Sequence, residues 1–160
     1  VMSARGLLTG LLVLAAATPA LAQDKQPPYW ASIASGQAMT RNGPARTYPG
    51  KWLYQRRDLP VRVLQKYENW RLIQDPDGEK GWMLVTLLSD RRTALIKAGD
   101  PRGIHTKPDP ASPVRYRAEA GVVGQIDHCR SGWCRIHFGS RTGYVQTRDL
   151  WGVEANEVVD

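Results

Sequence analysis

The 160-residue chain has only two cysteines, and they do not form the Cys-x-x-Cys pair typical of a redox motif. A zinc site would have to be completed by His128 and His137, their only near neighbours, so no metal site or cofactor is expected. There is no Gly-rich phosphate loop after a strand, no His-Glu-x-x-His and no nucleophile elbow. The acidic residues lie mostly in turn-forming contexts, such as Asp75, Asp77 and Asp109, where turn chemistry accounts for them. The chain is therefore read as no enzyme, with no catalytic residue assigned. The apolar run Leu7 to Ala17 is shorter than the roughly 20 residues a membrane-crossing helix needs, so no integral membrane span is expected.

What is present begins with an export signal. A basic lead ending in Arg5, the apolar run and the small-x-small pattern Ala20-Leu21-Ala22 predict a secretory signal peptide over 1–22, cleaved before Gln23. No cysteine lies at the cleavage site, so a lipid-anchored form is not expected. The formal net charge is +7. In an exported protein that excess points away from nucleic acid and toward anionic wall polymers, lipid headgroups or an acidic protein surface, unless it serves solubility alone.

The strongest pattern is internal repetition. Asn69-Trp70-Arg71-Leu72-Ile73, Gly81-Trp82 and Leu88 recur as Gly132-Trp133-Cys134-Arg135-Ile136, Gly143-Tyr144 and Leu150. Each copy follows a β-rich run, so the chain reads as two tandem small β-units that share an interface or a strand. The expected divisions are a Pro-containing flexible spacer over 23–37, repeat 1 over 38–92, repeat 2 over 93–153 and a frayed tail over 154–160. In repeat 1, strands are expected over 51–55, 59–67, 70–74 and 81–85, with Asp75-Pro76-Asp77-Gly78 as a hairpin turn and 86–88 as a helical turn or last strand. In repeat 2 they are expected over 93–98, 122–128, 134–138 and 143–146. The Pro-rich loop 107–113 takes the place of 42–48.

These residues carry a resemblance. Arg41-Asn42-Gly43-Pro44 is similar to the Arg-x-Gly-Pro loop of bacterial SH3 domains, and the Trp70 strand with Gly81-Trp82 resembles their closing hairpin. The second copy, ending Leu150-Trp151-Gly152-Val153, resembles the same family but lacks that loop sequence and has Tyr144 in place of Trp82. The resemblance is to exported two-copy proteins of Gram-negative bacteria. It implies an all-β fold of two SH3-like barrels after the cleaved signal, and a periplasmic location.

Features kept in both copies are assigned to the fold: Trp70, Gly81, Trp82, Trp133, Gly143, Tyr144 and, at the end of repeat 2, Trp151. Aromatics without copies, Tyr48, Trp52, Tyr54 and Tyr67, are the candidates for a ligand groove, because such barrels present aromatics between loops to extended chains. Arg41 and Arg57 are candidates to contact a carboxylate there, with Arg46 as a further possibility. Cys129 and Cys134 flank a turn-like segment, and export favours a disulfide between them. His128 and Cys129 point to opposite faces of a strand and make no catalytic dyad.

Three functions follow. The first is a non-catalytic exported module that binds cell-wall peptidoglycan or an extended peptide through an aromatic and basic surface of repeat 1. The second is an adaptor docking on an acidic cell-envelope protein through its basic face. The third is a thiol-disulfide redox protein.

Overall fold

The computed structural model describes residues 24–160, so the expected signal peptide over 1–22 lies outside the described residues. The described chain is all-β apart from two short 3-10 turns. Repeat 1 contains β1 (Tyr29–Ile33), β2 (Ala38–Arg41), β3 (Gly50–Tyr54), β4 (Pro60–Tyr67), β5 (Trp70–Gln74), β6 (Lys80–Leu84) and β7 (Leu88–Ser89). Repeat 2 contains β8 (Thr93–Ile96), β9 (Arg102–His105), β10 (Val114–Ala118), β11 (Val123–Arg130), β12 (Trp133–Phe138), β13 (Arg141–Gln146) and β14 (Leu150–Trp151). Each set forms one antiparallel sheet, ordered β3-β2-β6-β5-β4-β1-β7 and β10-β9-β13-β12-β11-β8-β14. The two orders are the same permutation, as the repeated sequence requires.

Two expectations about the ends are corrected. Tyr29–Ile33 lies in the stretch expected to be a flexible spacer, yet it is β1, an interior strand paired with β4 and β7. Its residues Trp30 to Ile33 are buried, and this apolar content outweighs the preceding prolines. The tail is not frayed either. The backbones of Val159 and Cys129 exchange both hydrogen bonds, the Arg92 guanidinium donates to both carboxylate oxygens of Glu157, and Val159 is buried. The tail's acidic residues find arginines, which composition alone does not reveal.

Each repeat has its own core, but the boundary is crossed. Ile33, Val61, Val63, Ile73 and Met83 centre the first core, and Leu95 of repeat 2 completes it. Trp151 packs edge-on against Trp30 at 5.0 Å between ring centres, and its indole N–H donates to the Pro60 carbonyl. The Arg62 guanidinium lies 5.4 Å from the Trp30 ring centre and pairs with Glu154 at 3.0 Å. Trp151, assigned to the fold of repeat 2, is thus also a joint between the repeats.

The paired glycines explain themselves by close packing. A Cβ on Gly81 would lie 2.6 Å from the Thr40 Cβ, and one on Gly143 would overlap Ile104, the residue matching Thr40 in the second sheet. Trp70 is buried, while Trp82, Trp133 and Tyr144 are half-buried at matched strand positions. The four repeated aromatics therefore pack on the sheets.

In repeat 2, Ser131 and Gly132 both have positive φ, which makes a two-residue turn that matches strand twist. That turn sets Cys129 directly opposite Cys134, with Cα atoms 4.1 Å apart and a disulfide between them. Because Cys129 gives its backbone hydrogen bonds to Val159, it meets Cys134 as a non-hydrogen-bonded pair, the closer of the two antiparallel arrangements.

Candidate binding groove between the repeats

An open groove of about 1090 Å³ runs between the repeats. One wall is β3 with the turn after β5, contributing Trp52, Tyr54, Asp75 and Asp77. The other is the end of β8 and the 120–121 turn, contributing Lys97 and Gly121, and Trp151 lies at the junction.

The wall from repeat 1 is held by one carboxylate. Asp75 is buried and accepts hydrogen bonds from the Tyr54 hydroxyl at 3.0 Å and from the backbone N–H groups of Asp77 and Glu79. A buried carboxylate needs such partners, and the turn Asp75-Pro76-Asp77-Gly78 supplies two of them locally. Burial, and then the adjacent Asp75 charge, push the Tyr54 phenol far above its ordinary value. Tyr54 therefore stays neutral and keeps donating.

Trp52 sits two residues before Tyr54 on the same strand, at the sheet edge, where only β2 pairs with β3. It is 57% exposed while Tyr54 is 6% exposed. Lys51 is tied to the same turn through Glu79 at 3.5 Å and the Lys80 carbonyl at 2.6 Å. Across the groove the Arg56 guanidinium donates to the Gly121 carbonyl, linking the repeats at the groove's end. The arrangement offers one open indole, a rigid hydrogen-bonded floor, and acidic and basic groups on facing walls. It has the makings of a binding surface for an extended polar chain.

The residues proposed from sequence are not all brought together. Trp52 and Tyr54 line the groove, Trp52 as an open surface and Tyr54 as its buried support. Arg41, Tyr48, Arg57 and Tyr67 do not line it. Arg41 instead donates to the Tyr48 carbonyl at 2.8 Å and closes its own loop. Tyr48 is exposed, and its ring lies over Gly43, whose missing Cβ makes the room. Arg57 is exposed in the turn after β3, and Tyr67 is exposed at the far end of β4. The wall from repeat 2 was not anticipated, because Lys97 and Gly121 reach Trp52 only through the way the two sheets meet. Only the general expectation of a shared interface pointed there.

Repeat 2 keeps the loop geometry without the loop sequence. His105 occupies the register position of Arg41, opposite Tyr144 as Arg41 is opposite Trp82. Its Nδ1 lies 3.0 Å from the Ser112 carbonyl, the same tie from strand end to loop. The Thr106 N–H donates to the Pro113 carbonyl as the Asn42 N–H donates to Pro49.

Comparison with known proteins bears on this geometry. The bacterial SH3 domain model matches residues 34–90 and again 100–152. A protein of Bacillus subtilis (strain 168) named as an N-acetylmuramoyl-L-alanine amidase, YrvJ, is 27% identical over 129 residues, covering 73% of this chain and 24% of its own length. The chain thus spans about a quarter of that relative. Solved structures of NlpC2 and NlpC1 from Trichomonas vaginalis align over 80% and 81% of this chain and 49% and 47% of theirs, at 14% and 13% identity and a TM-score of 0.33 each. With the family model matching six of the seven strands of each sheet in turn, the chain belongs to the bacterial SH3 domain family and carries two copies of the domain in tandem.

Proposed function

We propose that the protein is a non-catalytic binding module, exported to the periplasm, that holds peptidoglycan or its peptide in the groove between the repeats. The observation that carries this reading is Trp52, a large aromatic left 57% exposed on an edge strand beside a groove whose floor is fixed by Tyr54 and Asp75. Ordering an exposed side chain costs little when its surroundings are already rigid, so an extended ligand gains most of the contact energy there. The edge strand also leaves backbone groups free to pair with an extended chain. A relative named as an N-acetylmuramoyl-L-alanine amidase supports a wall polymer as the ligand class.

The test is retention of the protein on purified peptidoglycan at low and moderate salt, with Trp52→Ala alongside. Retention that survives salt and drops at least about tenfold in Trp52→Ala, whose unfolding midpoint is unchanged, supports the groove. Retention lost with salt alone favours docking through the basic face on an acidic partner. No retention in either buffer overturns the wall-binding reading. The redox reading gains no support, since Cys129 and Cys134 are both fully buried and a reductant has no approach to them in the folded state.

A further inference from the structure

On the outer face of each repeat, the strand register lines up one row of four side chains. In repeat 1 the row is Gln65, Leu72, Trp82 and Arg41. In repeat 2 the same positions hold His128, Arg135, Tyr144 and His105. An apolar pair at the centre of the first row becomes a guanidinium and a phenol in the second. His128, Arg135 and Tyr144 of this row line a cavity of about 300 Å³ together with Arg115, Thr106 and Thr142.

We infer that this cavity in repeat 2 is a binding site for an oxyanion, a carboxylate or phosphate group, on a small or end-presented ligand. The cavity lining contains two guanidinium groups, the hydroxyls of Thr106, Thr142 and Tyr144, of which that of Thr142 lies 2.9 Å from His137 Nδ1, and no carboxylate. Arg135 is aimed by Asp127, whose carboxylate accepts from its Nη1 at 2.7 Å and lies 3.3 Å from His128 Nδ1 and 3.8 Å from His137 Nε2. Arg135 holds the Asp127 carboxyl below the usual carboxylate range, so that partner remains charged. One Arg135 nitrogen donates to Asp127, and the remaining N–H donors of the fork make no hydrogen bond among the described residues. Asp127 offsets one of the two cations. Arg115 makes no hydrogen bond or ion pair among the described residues, and neither does the Tyr144 hydroxyl. A site with one positioned guanidinium, one uncompensated guanidinium and the unbonded Tyr144 hydroxyl suits the planar, bidentate geometry of an oxyanion. The volume is at the small end of ligand pockets, which fits a sugar acid, an amino-acid terminus or a phosphate rather than a long chain. Repeat 1 has no counterpart, because Leu72 and Trp82 fill these positions. The site is independent of the groove at Trp52.

The test is a backbone-amide NMR titration of the isotope-labelled, oxidised protein with sodium glucuronate and, separately, inorganic phosphate, at ionic strength held constant with chloride. Saturable shifts centred on Thr106, Arg135 and Tyr144 with either probe support the site, and the tighter probe identifies the oxyanion. Arg115→Gln is expected to weaken that binding by about tenfold or more, the effect of one charge-assisted hydrogen bond, while Trp52→Ala leaves it unchanged. Absence of saturable shifts with both probes overturns the inference. So do shifts that Arg115→Gln and Tyr144→Phe leave undiminished, because they would mark general charge screening.

Discussion

The edge strands of the two repeats hold aromatic residues at matched positions with opposite fates. Trp52 on β3 faces Thr40 and stays open to solvent, whereas Tyr116 on β10 faces Ile104, is half-buried, and lies under the Arg141 guanidinium at 5.5 Å. The supporting pair Tyr54 and Asp75 likewise has no equivalent, since Ala118 takes the place of Tyr54. Repeat 1 therefore spends buried hydrogen bonds on keeping one indole exposed. Repeat 2 covers its aromatic and opens a polar face instead, stiffened by the disulfide that repeat 1 lacks. One topology supports different surfaces because the register fixes where side chains stand and leaves their chemistry free.

Removing Trp151 is expected to break the comparison most strongly. Its counterpart in repeat 1 is Ser89, so only repeat 2 reaches across the boundary in this way. Trp151→Ala should cost about 3 kcal/mol and split urea unfolding, followed by far-ultraviolet circular dichroism and tryptophan fluorescence, into two transitions. A single transition with an unchanged midpoint would show that the repeats do not depend on this joint. Next comes Cys129→Ser with Cys134→Ser, expected to lower the stability of repeat 2 by about 2–3 kcal/mol and leave the groove residues unperturbed in amide NMR spectra. Spread of the perturbation to β3 would contradict the division.

Tyr54→Phe removes the hydroxyl that donates to a buried carboxylate, and a loss of about 1–2 kcal/mol is expected in the urea midpoint at neutral pH. The same contact gives an alkaline signature. Because the folded phenol is raised, its contribution is complete below the unfolded value of about 10 and is lost as pH rises beyond it. Stability measured upward from there should fall less steeply in Tyr54→Phe than in the parent. The smallest effect is expected from Glu157→Gln. Burial raises the Glu157 carboxyl, but the Arg92 hydrogen bonds and the Glu154 N–H outweigh it and hold the group below its usual range. Its contribution is present above the unfolded carboxyl value and is lost as pH falls, so Glu157→Gln should cost under about 1 kcal/mol at neutral pH and flatten the acid limb. Equal acid limbs for the two proteins would rule this contact out.

Most of the strand positions were legible because the repeat supplied two independent readings of the same pattern. The hairpins around Asp75 to Gly78 and Ser131-Gly132 are written in local turn chemistry, and so were found within a residue or two. β9 and β10 were missed: Arg102–His105 and Val114–Ala118 carry little apolar signal, with arginines at alternate positions of the second, and flank a loop holding Pro108, Pro110 and Pro113. β1 was missed because it follows two prolines and has no copy of the Trp motif. The candidate site was half legible. Lack of an evident counterpart in the sequence singles out Trp52 and Tyr54, which both line the groove, but does not say that one is open and the other buried. It also drew in Tyr48 and Tyr67, whose positions on a far loop and at the far end of β4 depend on tertiary placement. The polar row of repeat 2 was invisible because Arg135 and Tyr144 join only through strand register.

Only Asp90, Arg91 and Arg92 separate β7 from β8, and Arg92 is itself fastened to Glu157 and to the Gly152 carbonyl. Three residues reach about 10 Å at full extension, too little for the two domains to drift apart and search independently. The two domains therefore stay at a fixed separation. On the proposed reading, the groove between them presents its two walls at a set width, and a ligand is admitted by its size rather than by domain movement.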